Sequence, residues 1–213
     1  MQSAPSNTTA SVELDLSRTL LDGLRTPLSA LRASMESLCQ EYGERDPRSR
    51  VAKAALEEVL RLGRSVQDYA EWSTVPSARP LSCRPEEIAY SARFHLDAPQ
   101  RGRVIVARER ELPVLWIDGP LLARSLWRLL SLSLDSSSGE TLLHIDREDD
   151  CVRFSITGSL PRPQGGELGP NEALRRELAK RDSVCAGGTL RWERRDKGDL
   201  RVRLLLPVRS PQA

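Results

Sequence analysis

Chemistry in this chain has to come from a short list of side chains. In LLDGLRTPLSALRASMESL, Leu20 to Leu38, the carboxylate of Asp22 is followed at helical steps by Thr26, Ser29 and Ala33, with Arg25 and Arg32 flanking the strip. That is a strip of small side chains edged by cations, and small residues let another helix approach closely. The alternative is an ordinary solvated helix face. The two histidines, His95 in SARFH and His144 in TLLHID, have no base or metal ligand beside them in the sequence. Isolated histidines of this kind are read as structural or surface residues. Cys39, Cys83, Cys151 and Cys185 lie far apart without a CxxC pair, which argues against a zinc site or a disulfide framework and for reduced thiols. Gly165, Gly166 and Gly169 in PQGGELGPNEALRREL could cradle a phosphate, although loops are rich in glycine for conformational reasons alone. Arg128 could meet a phosphate or simply sit in a salt bridge.

The elements that must position these groups fall into two halves. From Leu21 the apolar residues run Leu21, Leu24, Leu28, Leu31, Met35 and Leu38, in steps of three and four that make one helical stripe. Pro27 lies inside that helix, where a kink is expected, or else the helix starts at Thr26. Gly43 can end this helix, and Asp46 before Pro47 suits the start of a second. The second stripe is Val51, Ala55, Val59, Leu62, Val66 and Tyr69. An isolated pair of helices buries two such stripes poorly, so a four-helix bundle made by a homodimer is expected. After the proline-containing linker STVPSARP the pattern becomes helix, two short strands, a strongly apolar helix at GPLLARSLWRLLSLSL, a hairpin of TLLHIDRE and CVRFSIT, a helix at NEALRRELAKRD, and a closing hairpin turning at Lys197 and Gly198. A mostly antiparallel sheet with helices on one face follows.

Composition narrows the function classes. The formal net charge of +2 comes from 32 basic and 30 acidic residues that are interleaved, so nucleic acid is not an expected partner. No apolar run approaches the roughly 18 residues that cross a bilayer, and the opening residues lack the basic start and apolar stretch of a signal peptide. A cytoplasmic, membrane-free protein is expected.

Both halves together resemble the transmitter core of bacterial histidine kinases, from about Leu14 to Pro207. Where the family has His-Glu-Leu-Arg-Thr-Pro-Leu, this chain has Asp22, Gly23, Leu24, Arg25, Thr26, Pro27 and Leu28. The phosphoacceptor histidine is thus an aspartate, whose charge repels a γ-phosphate unless a metal and cations shield it. The family's Asn-Leu-Leu-x-Asn, whose asparagines hold Mg²⁺ and phosphates, aligns with Arg128, Leu129, Leu130, Ser131 and Leu132. In place of Asp-x-Gly-x-Gly, whose aspartate binds the adenine amino group, stand Gly158, Leu160 and Arg162.

The resemblance implies an α+β protein. An N-terminal helical hairpin forms a dimeric four-helix bundle and is followed by a histidine-kinase-type ATPase-like α/β sandwich. The expected organisation is an unstructured segment 1–11, the hairpin 12–74, a linker 75–80, the sandwich 81–208 and an unstructured tail 209–213. It further implies a pseudoenzyme with no cofactor and no metal. Its function would be that of a signalling adaptor that binds a response-regulator receiver domain or a partner histidine kinase through Asp22, Arg25, Thr26, Ser29, Arg32 and Ala33, without phosphotransfer. Asp22 is read first as a plain surface acid; the alternatives are a mimic of phosphohistidine and a repulsive element that selects partners. The alternatives are a phosphotransferase or ATP-binding kinase-like enzyme with a rebuilt site, and a regulator that borrowed the fold for dimerisation.

Overall fold

The computed structural model describes residues 7–42, 46–74, 76–136, 138–158, 169–194 and 200–208; the side chains of residues 7–20, 22, 194 and 200 are not described. The chain divides into two compact units, Met1–Val75 and Pro76–Ala213.

The first unit is a hairpin of α1 (Asn7–Glu41) and α2 (Pro47–Trp72). Helix α1 begins inside the 1–11 segment expected to be unstructured, and Val12, Leu16 and Leu20 carry an apolar repeat of four upstream of Leu21. It runs through Pro27, whose missing N–H leaves the Gly23 carbonyl without its usual helical donor. Gly43 lies outside the described residues. Helix α2 starts as its sequence suggests, with Asp46 accepting from the Arg48 amide at 2.8 Å and Pro47 in the first turn.

Packing of the pair is incomplete. Ala52 and Val66 are buried, whereas Leu24, Leu31, Val51, Leu62 and Tyr69 are between 46% and 72% exposed. With 3.6 residues per turn, Leu24 and Leu31 fall to one side of the Leu21–Leu28–Met35 line of α1, and Arg25, Ser29 and Arg32 fall to the other. The hairpin therefore has an apolar flank and a basic flank.

The second unit is built on a five-stranded sheet in the order β2-β4-β5-β7-β6, formed by β2 (Val104–Arg108), β4 (Thr141–Glu148), β5 (Cys151–Thr157), β6 (Thr189–Arg194) and β7 (Leu200–Pro207). Only β2 and β4 pair in parallel. The period-two alternation puts Leu143, Ile145, Val152, Phe154, Ile156, Val202, Leu204 and Leu206 into the core. Helices α3 (Pro85–Phe94), α5 (Gly119–Asp135) and α6 (Pro170–Cys185) cover that face. Leu122, Leu126, Leu129 and Leu130 of α5 are fully buried, as its leucine spacing requires.

Two short elements escaped the sequence reading: β1 (Leu81–Cys83) and the single turn α4 (Ala98–Gly102). The second of the two short strands expected after the linker, in PVLWID, is reduced to β3 (Leu115–Ile117) and pairs with β1 in a separate two-stranded ribbon. The end of the expected linker is anchored, since the Arg79 amide donates to Asp118 Oδ2 at 2.7 Å while Asp118 Oδ1 caps α5 at the Leu121 amide at 2.8 Å.

Candidate functional site

Two groups of candidate residues emerge, one in each unit. In the hairpin, a cleft of about 380 Å³ opens between α1 and α2 on the basic flank. Its floor is apolar, from Leu28, Val59, Leu60 and Val66, and Arg25, Ser29, Arg32, Gly63, Arg64 and Gln67 complete the lining. Three of the residues singled out from the sequence, Arg25, Ser29 and Arg32, are thus brought together, and Thr26 and Ala33 lie exposed outside the cleft on α1. The backbone of Asp22 is helical; its side chain is among those not described. Arg32 donates through Nε to Glu36 Oε1 at 2.8 Å on the open surface. The α2 wall was missed from the sequence, although Leu60, Gly63, Arg64 and Gln67 recur at steps of three and four opposite the α1 strip.

In the second unit the positions that resemble nucleotide ligands are built differently. Arg128 lies on α5, 1% exposed, and its Nη1 donates to Asp182 Oδ2 of α6. Asp182 is itself fully buried and also accepts from Arg124 Nε at 3.0 Å and Arg181 Nη2 at 3.2 Å. Beside this cluster, Ser125 Oγ donates to the Ala179 carbonyl and shares a hydrogen bond with Ser183 Oγ, both at 2.8 Å. Of the two readings left open for Arg128, the geometry shows the salt bridge. The partner, Asp182, was not foreseen, because its register against α5 depends on how the two helices dock. Leu132 is 1% exposed in the core and offers no donor or acceptor to a ligand.

Gly158 follows β5, where a Cβ would overlap Ser133 Oγ and stand 2.9 Å from Thr141 Oγ1. Those two hydroxyls are bonded to each other at 2.9 Å and buried. An aspartate does not fit there without breaking that bond. Leu160, Arg162, Gly165 and Gly166, together with the turn at Lys197 and Gly198, lie outside the described residues; Gly169 caps α6, its amide donating to Glu172 Oε2 at 3.1 Å.

A Mg²⁺-nucleotide set against these positions would meet the guanidinium of Arg128, which repels a cation, the hydrocarbon of Leu132 and no carboxylate at Gly158. The described residues do not fit that group. Among them, no cluster of His, Cys, Asp or Glu could hold a metal ion, and no helix is long and apolar enough to cross a membrane.

The remaining candidates stand apart from both groups. His95 ends α3 edge-on to Trp127, at 6.5 Å between ring centres. His144 lies 3.4 Å from Asp146, a carboxylate already held by Arg153 of the neighbouring strand. Cys83 sits half-buried in β1, where burial pushes its thiol pKa up, away from the reactive thiolate.

The backbone as a whole is similar to ShkA, solved full-length in complex with AMPPNP, with a TM-score of 0.65 at 16% identity over 93% of this chain and 47% of ShkA. The fold is histidine-kinase-like. Histidine kinase ThkA in complex with the response regulator protein TrrA matches 92% of this chain and 61% of its own, with a TM-score of 0.58 at 13% identity. The Acinetobacter baumannii histidine kinase AdeS matches 88% of this chain and 98% of its own, with a TM-score of 0.52 at 10% identity. The chain therefore spans less than half the length of ShkA and about three fifths of that of ThkA. No protein-family model matches the sequence, and no curated protein matches it either. At these identities the likeness is one of fold: a helical hairpin followed by the histidine-kinase type of ATPase-like domain.

Proposed function

We propose that this protein is a non-catalytic adaptor of two-component signalling: a homodimeric pseudo-histidine-kinase that binds a response-regulator receiver domain, or a partner kinase, without transferring phosphate. The observation that carries this reading is the fate of Arg128. The position that would hold Mg²⁺ is spent on a buried ion pair that ties α5 to α6. Gly158, with no space for a carboxylate, and a histidine-free α1 support it.

The hairpin supplies what remains. Its apolar flank, with Leu24, Leu31, Val51, Leu62 and Tyr69 exposed, suits a second copy in a four-helix bundle. Its basic cleft contains Arg25, Ser29 and Arg32, and ThkA, of similar fold, is known in complex with a response regulator. Regulation would then work by occupancy, with the adaptor holding a receiver and so withholding or presenting it.

The test combines two measurements on the purified protein. Calorimetry with ATP and ADP, with and without Mg²⁺, is expected to give no heat at millimolar ligand. Incubation with phosphorylated and unphosphorylated receiver domains is expected to give complexes but no labelled protein. Micromolar nucleotide binding, or label appearing on the chain, would move the enzyme alternative to first place.

A further inference from the structure

We infer that the free edge of β2 is a self-association surface, where two copies of the second unit pair antiparallel about Val106 and continue the sheet of one chain into the next. The inference concerns the second unit alone and does not rest on the adaptor reading.

Strand β2 lies at one end of the sheet order. The Thr141 amide donates to the Arg103 carbonyl at 2.9 Å, and the Glu109 amide donates to the Ile145 carbonyl at 3.0 Å. Along a strand paired on one side, the bonded residues alternate. Arg103, Ile105, Ala107 and Glu109 therefore bond to β4, and the N–H and C=O groups of Val104, Val106 and Arg108 point out of the sheet edge. Among the described residues, none donates to or accepts from those groups. Edge strands are usually guarded by lysine, proline or a bulge. Here Val104, Ile105, Val106 and Ala107 carry no such guard, and the register against β4 runs without a break.

Apolar side chains flank this edge on both faces of the sheet. Ile105 and its cross-strand neighbour Leu142 are exposed on the open face. On the helical face, Glu86 of α3 lies 4.0 Å from Arg108, and Arg93 of α3 donates to the Arg101 carbonyl at 3.2 Å. Tyr90 falls between Glu86 and Arg93 on the same side of α3. It is exposed, as is Phe94 one turn further on, with Arg101 stacked over the Phe94 ring at 4.8 Å.

The strand's own sequence names the occupant. With Val106 on a twofold axis, every outward-facing residue meets an outward-facing one, Val104 against Arg108 and Val106 against itself, which allows about six backbone hydrogen bonds. Ile105 meets Ala107, and Arg103 stands opposite Glu109. No arginine faces an arginine, although Arg103, Arg108 and Arg110 all lie in this stretch. The parallel alternative sets Arg103 on Arg103 and Arg108 on Arg108, and like charges directly opposite are destabilising. A five-residue edge buries less than a standard interface, so pairing is expected at about 100 µM and above.

The experiment is sedimentation of the full chain from about 1 µM to about 1 mM. The parent is expected to gain mass at the upper end, and Leu31→Glu with Leu62→Glu, which disables the apolar flank of the hairpin, should keep that gain. Val106→Pro removes an outward N–H and leaves the bonds to β4 in place; it should lose the gain. Ile105→Lys, at an exposed position, should lose it too, with circular dichroism unchanged. Ile105→Cys with Ala107→Cys sets a thiol of each copy opposite a thiol of the other, and diamide should link copies beyond any cross-linking of the parent's own cysteines. A peptide of residues 103–109 should suppress the gain, and its scrambled version should not. No gain at about 1 mM, a gain that survives either Val106→Pro or Ile105→Lys, or a cysteine pair that links no better than the parent would overturn the proposal. Loss of the gain in Leu31→Glu with Leu62→Glu would assign it to the hairpin instead, and equal suppression by the scrambled peptide would show an edge that takes any strand; each overturns the self-matching register.

Discussion

Replacing Asp182 by asparagine should damage the second unit more than replacing Arg128, although the two face each other. Arg128 is 1% exposed and its counter-charge is Asp182. Neutralising the acid takes away the charge to which the buried guanidinium donates, and breaking a buried pair in this way costs about 3–5 kcal/mol. Arg128→Asn, which returns the residue the kinase pattern calls for, leaves the carboxylate still accepting from Arg124 at 3.0 Å and Arg181 at 3.2 Å. Its cost includes the charged hydrogen bond to Asp182, about 1.5–3 kcal/mol, with some added cavity. The double variant Arg128→Leu with Asp182→Leu removes both buried charges; Arg124 and Arg181, at 35% and 20% exposure, can turn to water. It should lie close to the parent in stability. Urea unfolding followed by tryptophan fluorescence, with Trp127 adjacent to the cluster, measures all three. An Asp182→Asn cost below about 0.5 kcal/mol, no larger than an ordinary surface change, would refute the idea that this ion pair clamps α5 to α6. Calorimetry on Arg128→Asn adds a second check, since restoring one asparagine beside Leu132 and Gly158 should produce no nucleotide binding.

Three other outcomes follow from the same structure. Gly158→Asp should lower stability by about 1–3 kcal/mol by breaking the buried Ser133–Thr141 bond, seen as a shifted urea midpoint, and should bring no adenine binding. Leu31→Glu with Leu62→Glu, at positions 47% and 54% exposed in the single chain, should convert a dimer to a monomer in sedimentation velocity. Each leucine buried in an interface contributes about 1.5–3 kcal/mol, and a parent that is already monomeric would refute the four-helix bundle. Cys83, raised by burial first and by Glu87 and Asp118 to a lesser degree, keeps its proton more tightly when folded than when unfolded. The stability it contributes is therefore present below the unfolded thiol pKa and is lost as pH rises through the folded one. Site-resolved alkylation should find Cys83 slower in the native protein than in urea at the same alkaline pH.

How much of this could be read from the sequence depends on whether a feature is set by local period or by docking. The core strands TLLHIDRE and CVRFSIT fall where their alternation put them, Thr141–Glu148 and Cys151–Thr157, because side-chain period two and a polar turn at Asp149 and Asp150 specify both ends. Helix α5 follows from its leucine spacing and from Asp118 before Gly119-Pro120. β1 was invisible because three residues give no period to count, and it exists only through pairing with β3. Asp182 was likewise invisible. Nothing in RELAKRDSV marks one acid among several as the counter-ion of an arginine that lies 54 residues earlier.

The candidate site divides along the same line. Of the α1 strip read from helical steps, Ser29 lines the cleft with the flanking Arg25 and Arg32, whereas Thr26 and Ala33 do not; the α2 contribution was not legible, since two helices can be apposed in several rotations and the sequence does not say which puts Gly63 and Ser29 on one cleft. The same rotation separates the two flanks of the hairpin. Leu24 and Leu31 face one way and Arg25, Ser29 and Arg32 the other, so on the proposed reading association with a copy and association with a partner would draw on different surfaces. On the proposed adaptor reading, a chain with both surfaces and a buried Arg128 would have what recognition needs. Substitutions in the hairpin should therefore alter partner choice while leaving the second unit folded, and substitutions at Asp182 should unfold the second unit without changing the charge of the cleft.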